Sequence, residues 1–257
     1  MENIKRFVEC LVPGTVCNLN CSYCYTKQEE RQKNLPHFEY TPEYIGKALS
    51  KDRLGGTCYI SMCAAGETLI PAISKTIIRH ILQQGHYVNI TTNGTLNNRF
   101  DEILKLLKPE QLERLHFAFS FHYLELVRTN KIDDFFRNVK KVRNSGCSFL
   151  IQINLCDDYI PYLKEIKTIC EKNTGAPPQV AATRNERTRK ITLMTKYTVD
   201  EYKQFGKIFQ SSLCNFTMKN FMVKRKEFCY AGDWAFKLYL DTGMMRRCYD
   251  SQSTQNI

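Results

Sequence analysis

The sequence predicts an α/β fold, a partial TIM-like (β/α)6 barrel of parallel strands with a small C-terminal β-hairpin extension. Three observations predict it. Short apolar runs alternate with longer amphipathic ones through the first two-thirds of the chain, the pattern of parallel strands covered by helices. Six such strands suit a partial barrel, since a closed eight-stranded one needs two more units. Chemistry-bearing clusters follow individual strands, at the ends where such folds place their ligands. The length of 257 residues suits one large domain, or one with an appendage.

Taken in order, Phe7–Val12 reads as the first strand and runs into a cysteine loop. Pro42–Leu49 reads as a helix, with Thr41 placed to cap it and Pro42 at the first helical position. Cys58–Met62 is the second strand, and a helix follows over Ile70–Gln84. Tyr87–Thr91 is the third, ended by the turn signal Asn93-Gly94, with a helix over Phe100–Leu107. Leu115–Ser120 is the fourth, followed by a helix over Ile132–Asn144 that Gly146 closes. Cys147–Leu155 and Gln179–Thr183 are the fifth and sixth, with a helix over Tyr159–Lys172 between them. Polar and basic residues over Arg184–Thr198 interrupt the pattern before a last helix, Val199–Leu213. The core is therefore placed at 1–213 and the extension at 214–257. In the extension, Phe236–Leu240 and Met244–Cys248 flank Asp241-Thr242-Gly243 as a hairpin within Phe228–Tyr249.

Hydrophobic residues at 43% and charged residues at 25%, with a mean hydropathy of −0.40, exclude a disordered or fibrous chain. No apolar run reaches the ~18 residues of a membrane helix, and the N-terminus lacks the features of a signal peptide. A soluble, cytoplasmic protein without a membrane partner is expected. Lys and Arg total 37 against 26 Asp and Glu, a net charge of +11, which suits anionic partners. The basic residues are scattered, with denser stretches at Arg184–Lys196 and Lys219–Lys226, and no nucleic-acid motif accompanies them. A solvated basic face is the expectation, without a nucleic-acid partner.

Twelve cysteines are many for such a chain, and a reducing compartment disfavours disulfides. Most of them stand in apolar runs as small hydrophobes. Cys17, Cys21, Cys24, Cys229 and Cys248 do not. The first three stand in Cys-Asn-Leu-Asn-Cys-Ser-Tyr-Cys, directly after the first strand. Three thiolates so close together can wrap one inorganic centre and leave a position open, as a catalytic centre requires. A zinc knuckle completed by His37 is the alternative. A two-His finger needs a second His just beyond, where Thr41, Pro42 and Glu43 stand.

Cys-x3-Cys-x2-Cys after the first strand, with Tyr23 before the last cysteine, resembles the radical S-adenosylmethionine (radical SAM) enzymes. The resemblance implies that Cys17, Cys21 and Cys24 hold a [4Fe–4S] cluster whose fourth iron is chelated by SAM. It implies further that an electron from the cluster cleaves SAM to a 5′-deoxyadenosyl radical, which abstracts hydrogen from a substrate. Ala64-Ala65-Gly66-Glu67-Thr68 follows the second strand and resembles the superfamily's Gly-Gly-Glu-Pro, with Ala for the first glycine and Thr for the proline. Ala65, Gly66 and Glu67 would then meet the SAM amino group, since small residues let backbone approach a ligand and a carboxylate suits an ammonium. Thr92-Asn93-Gly94 resembles the Thr-Asn-Gly found near the SAM ribose. Ser120 and Asn154, near the ends of the fourth and fifth strands, take SAM-contacting places by the same resemblance, and Tyr23 lines the pocket. His122 faces the same rim and is the candidate substrate-side acid or base.

Cys229 and Cys248, with Gly243 between them, resemble the opening of the SPASM/twitch extension of one radical SAM branch. The resemblance implies a second, auxiliary iron–sulfur cluster. Relatives add further cysteines downstream. Here the set is incomplete or lost, or Cys214 completes it, or the chain is a shortened form, or the two are free thiols or bind zinc. The implied partners are SAM, an unidentified substrate (small molecule, carbohydrate or peptide) and an electron donor such as flavodoxin or ferredoxin. No peptide-binding segment precedes residue 5, which tilts the expectation toward a small or carbohydrate-type substrate. Two other readings stay open: radical chemistry on RNA, motivated by the charge, and a non-catalytic iron–sulfur or zinc-binding protein.

Overall fold

The apolar runs become strands that pair in chain order. The computed structural model describes residues 3–187 and 192–248, and the backbone of 254–256. Strands β1 (Arg6–Val12), β2 (Cys58–Ala64), β3 (Tyr87–Thr92), β4 (Leu115–Ser120), β5 (Ser148–Leu155) and β6 (Gln179–Ala182) each run parallel to the next. This is the expected partial barrel. Where the basic stretch interrupts the pattern, β7 (Arg184–Asn185) and β8 (Thr192–Leu193) form a separate antiparallel ribbon. Residues 188–191 of that stretch lie outside the described residues, as does Tyr249 at the end of the expected hairpin.

The tail forms β9 (Ala235–Tyr239), β10 (Met244–Arg246) and β11 (Thr254–Asn256). β9 and β10 make the expected antiparallel hairpin. The hairpin also joins the barrel sheet: β9 lies parallel to β1, with Glu9 opposite Lys237, giving the order β11-β10-β9-β1-β2-β3-β4-β5-β6. The reason is the shared alternation. Phe236 and Leu238 are buried and continue the layer formed by Val8, Cys10 and Val12.

Successive side chains of a strand point to opposite faces. One face of the sheet packs on helices, where Ile60, Ile90, Phe117 and Phe119 meet Ile77, Ile81 and Phe135 in one core. The other face lines the concave interior. Its residues, such as Glu9, Ser61, Ala118 and Gln152, are half-buried, so these strands read apolar–polar where a sheet covered on both faces would read continuously apolar.

Helix ends follow local chemistry. Thr41 caps the helix Pro42–Ala48 by accepting from Tyr44 N at 3.2 Å. The helix Ile132–Asn144 has the expected bounds, and Gly146 follows it at φ +82°. The helix expected over Ile70–Gln84 begins only at Ser74, because Ser74 Oγ donates to Thr68 O at 2.9 Å and holds the preceding residues in a turn. The helix expected over Tyr159–Lys172 is a 3-10 turn over Asp157–Tyr162 followed by an α-helix over Leu163–Thr174. The helix expected over Val199–Leu213 is two, Val199–Lys207 and Ser212–Asn220, broken where Gln210 takes φ +51° and Ser211 caps the second. The helix Tyr123–Arg128 after β4 is short and was not predicted. All twelve cysteines are free thiols. Among the described residues no helix is long and apolar enough to cross a membrane.

Candidate functional site

Residues 13–24 leave β1 and sweep over the carboxyl ends of β2 to β5, tied down at each. At β2, Gly66 N donates to Gly14 O and Glu67 N to Val16 O, both at 2.9 Å. A Cβ on Gly66 would stand 2.2 Å from the Val16 carbonyl oxygen, so only glycine permits this approach. At β3, Asn18 Nδ2 donates to Thr95 Oγ1 at 2.7 Å, and Asn18 Oδ1 accepts from Asn93 Nδ2 at 2.8 Å. After β4, Glu125 Oε2 accepts from Asn20 N at 2.7 Å. After β5, Asp158 Oδ2 accepts from Ser22 Oγ at 2.8 Å. The Tyr23 hydroxyl lies 2.6 Å from His122 Nδ1 and 3.1 Å from the Tyr159 hydroxyl. Positions 18, 20 and 22 thus reach successive strand ends and leave Cys17, Cys21 and Cys24 between the anchors.

Cys21 is buried, and Cys17 and Cys24 are half-buried. Cys17 Sγ accepts from Leu19 N at 3.4 Å and faces Asn93 Nδ2 at 3.7 Å. Burial pushes the Cys17 thiol up. Burial, with Cys17 and Cys24 as neighbours, pushes Cys21 up to about 12. The three thiols therefore sense one another, and Cys17 and Cys21, unaided, stay protonated at neutral pH. A cationic centre reverses this, because bound thiols are deprotonated outright. Among the described residues no three His, Cys, Asp or Glu side chains are grouped closely enough to hold one metal ion, and His37 is exposed. A cluster distributes its thiolates over separate irons, which this donor set fits.

Glu67 joins the second and third strand ends. It is only 4% exposed. Oε1 accepts from Leu69 N at 3.1 Å and Thr92 Oγ1 at 2.7 Å, and Oε2 accepts from Asn93 N at 2.7 Å. Burial raises its carboxyl above the usual range, and these three donors oppose the rise. Asn93 is 3% exposed, and its Oδ1 accepts from Thr95 N and Thr95 Oγ1. Gly94 takes φ +73°, where a Cβ would strike Phe135 and Phe119.

Residues 11–157, more than half the chain, match the family model of the Radical SAM superfamily. The chain belongs to the radical SAM superfamily. Its fold is similar to that of SuiB from Streptococcus suis solved with its precursor peptide SuiA, at a TM-score of 0.64 and 14% identity, covering 98% of this chain and 62% of that one. SuiB bound to S-adenosylmethionine is similar at a TM-score of 0.60 and 13% identity, covering 98% and 61%. The enzyme anSMEcpe with bound AdoMet is similar at a TM-score of 0.63 and 13% identity, covering 95% and 71%. This radical SAM chain thus spans about three-fifths of the SuiB chain. No curated protein matches it.

The radical SAM barrel also places the remaining candidates. Ala65 is half-buried between β2 and Gly66, and Ser120 and Asn154 are half-buried on the interior face of β4 and β5. His122 has Nδ1 occupied by Tyr23, which leaves Nε2 for any substrate. Burial pushes its imidazole down to about 4, so it is neutral at pH 7. An unfolded histidine binds its proton near 6.5. The stability that neutral His122 contributes is complete above that value and is lost as pH falls toward about 4. His122→Gln is expected to flatten the fall in Tm across this window, and a thermal melt series that keeps the wild-type slope would contradict it.

Cys229 and Cys248 are exposed. Cys229 precedes β9 and Cys248 follows β10, so both lie toward the amino end of β1, away from the three-cysteine loop. Cys214 is buried against Gly206. Sequence reasoning missed Asn18, Asn20, Ser22, Thr95, Glu125, Asp158 and Tyr159. The only signal was the polar alternation inside the cysteine loop, since their partners follow no fixed spacing.

Proposed function

We propose that the chain is a radical SAM enzyme in which Cys17, Cys21 and Cys24 hold a [4Fe–4S] cluster. The observation that supports it best is the anchoring of that loop to four strand ends, which holds Cys17, Cys21 and Cys24 at the carboxyl side of the sheet. When bound, the cluster supplies one electron to the SAM sulfonium, so that a 5′-deoxyadenosyl radical can take hydrogen from a substrate. The chain's residues position the reactants. Gly66 keeps the β2 end against the loop, and the backbone around Ala65 and Gly66 offers carbonyls to the SAM amino group. Glu67 supplies the buried negative charge that an ammonium favours. Asn93, Ser120 and Asn154 line the nucleoside side, and Tyr23 closes the pocket floor through His122 and Tyr159. Residues 1–213 form the catalytic core and 214–257 the extension. An electron donor of the flavodoxin or ferredoxin type supplies the electron.

Anaerobic reconstitution tests the reading. About four irons per chain are expected, with an electron paramagnetic resonance signal of the reduced cluster that shifts when SAM is added. About eight irons, lost in part on changing Cys229 or Cys248, would instead support the auxiliary cluster. A signal indifferent to SAM would favour a non-catalytic iron–sulfur protein.

Glu67→Gln supplies a further prediction. A folded carboxyl raised by burial makes the SAM-free protein lose stability as pH rises through its folded pKa. SAM offsets this by bringing an ammonium. Glu67→Gln should remove that pH slope and weaken SAM binding at least about tenfold, the value of one charged hydrogen bond. Calorimetric titration of SAM into both proteins checks it, and equal affinities would exclude Glu67 from the site.

A further inference from the structure

The interior face carries one polar residue per strand at a single level. Lys237, Glu9, Ser61, Asn89, His116 and Ser148 are register partners in succession from β9 to β5. Neighbouring strands lie about 4.8 Å apart, so the six form one row across the barrel. Asn89 Nδ2 donates to Ser61 Oγ at 3.0 Å, and His116 Nδ1 lies 2.9 Å from Ser148 Oγ. One atom is left over. Asn89 is 8% exposed, yet its Oδ1 has no hydrogen-bond partner. A buried acceptor without a donor is costly, so the row lacks one donor at its centre.

The rows on either side differ in kind. Toward the amino ends, Trp234 stacks on Phe7 and Phe7 on Tyr59, with ring centroids 6.2 and 6.0 Å apart. Toward the carboxyl ends, the next level holds Tyr239, Leu11, Cys63, Thr91, Ala118 and Leu150, in which hydroxyl and thiol groups alternate with apolar ones. Asn93 stands four residues beyond Asn89. At about 3.3 Å per residue, the polar row lies roughly 13 Å below the cysteine loop.

We propose that this row is the substrate-anchoring subsite and that it takes a small polyhydroxylated ring. One ring hydroxyl donates to Asn89 Oδ1, others meet Ser61 and the His116–Ser148 pair, and the C–H face rests on the Phe7–Tyr59 stack. A peptide fits less well, because its donors and acceptors run along one line and are met by a strand edge. Here the polar atoms run across strands and stand beside aromatic faces. The subsite rests on the reading that SAM binds at the carboxyl ends.

The test is saturation-transfer NMR on the full chain without SAM or reductant, using myo-inositol and glucosamine as probes and trialanine as control. Transfer to the ring protons of at least one polyol and none to trialanine is expected. Asn89→Leu and Ser148→Ala should each weaken binding about tenfold, the loss of one hydrogen bond. Ser148 is exposed, so its change leaves folding intact. Binding of neither polyol, wild-type affinity in both variants, or binding of trialanine in their place overturns the proposal. The two readings fail separately. A chain that cleaves SAM but binds no polyol loses only this subsite, whereas one that binds polyol and never cleaves SAM loses the enzymatic reading.

Discussion

Replacing Cys17, Cys21 or Cys24 with alanine is expected to reduce 5′-deoxyadenosine formation to the uncatalysed background. Each thiol stands between anchored neighbours: Asn18 on Asn93 and Thr95, Asn20 on Glu125, Ser22 on Asp158. Three ligands are the fewest that retain a cluster with one open position. The effect should be chemical, with the fold retained, since the loop's hydrogen bonds do not pass through the substituted sulfurs of Cys21 and Cys24 to any strand. Circular dichroism and iron content measured together separate the two. Cys170→Ala is the control. Cys170 is fully buried on the helix Leu163–Thr174, outside the loop, and its loss should cost stability while SAM cleavage persists. Cleavage that survives in any of the three loop variants would refute their assignment as ligands.

Gly66→Ala should be the most damaging substitution outside the cysteines. The added methyl would stand 2.2 Å from Val16 O and 2.7 Å from Thr15 C, both backbone atoms that cannot swing away like a side chain. Either the β2 end or the cysteine loop must move, and both hydrogen bonds between them, Gly66 N to Gly14 O and Glu67 N to Val16 O, are strained together. Overpacking of this kind costs about 3 kcal/mol, which lowers Tm by roughly 6–12 °C in a chain of this size. Iron retention should fall with it, because Val16 immediately precedes Cys17. Ala65→Gly is the comparison, expected to change Tm by no more than about 2–4 °C. A Gly66→Ala protein with wild-type Tm and iron content would show that this contact does not hold the loop.

Much of this architecture is legible in the sequence. The period of the apolar runs identified all six barrel strands, and Leu115–Ser120 and Ile132–Asn144 have the bounds that the pattern predicts. The cysteine spacing and the Gly66-Glu67 and Asn93-Gly94 pairs were legible because each is local: a turn, a close approach, a ligand spacing. What sequence alone did not show depends on contacts between distant segments. Nothing in the tail says that β9 will lie beside β1, since any edge of the sheet offers the same backbone groups. Nothing near Ser22 points to Asp158, or near Tyr23 to Tyr159, because the fold alone brings residues some 136 positions apart together. The split of the helix at Ile208–Ser211 turned on one residue, Gln210, adopting a left-handed conformation that its type does not announce.

The most direct measurement is mass-spectrometric detection of 5′-deoxyadenosine after anaerobic reconstitution with iron and sulfide and addition of SAM and dithionite, with Cys24→Ala assayed beside the wild type. Product is expected from the wild type and none above background from Cys24→Ala. A wild type with its cluster fully loaded that yields no 5′-deoxyadenosine would contradict the account and leave the chain as an iron–sulfur protein on a radical SAM scaffold.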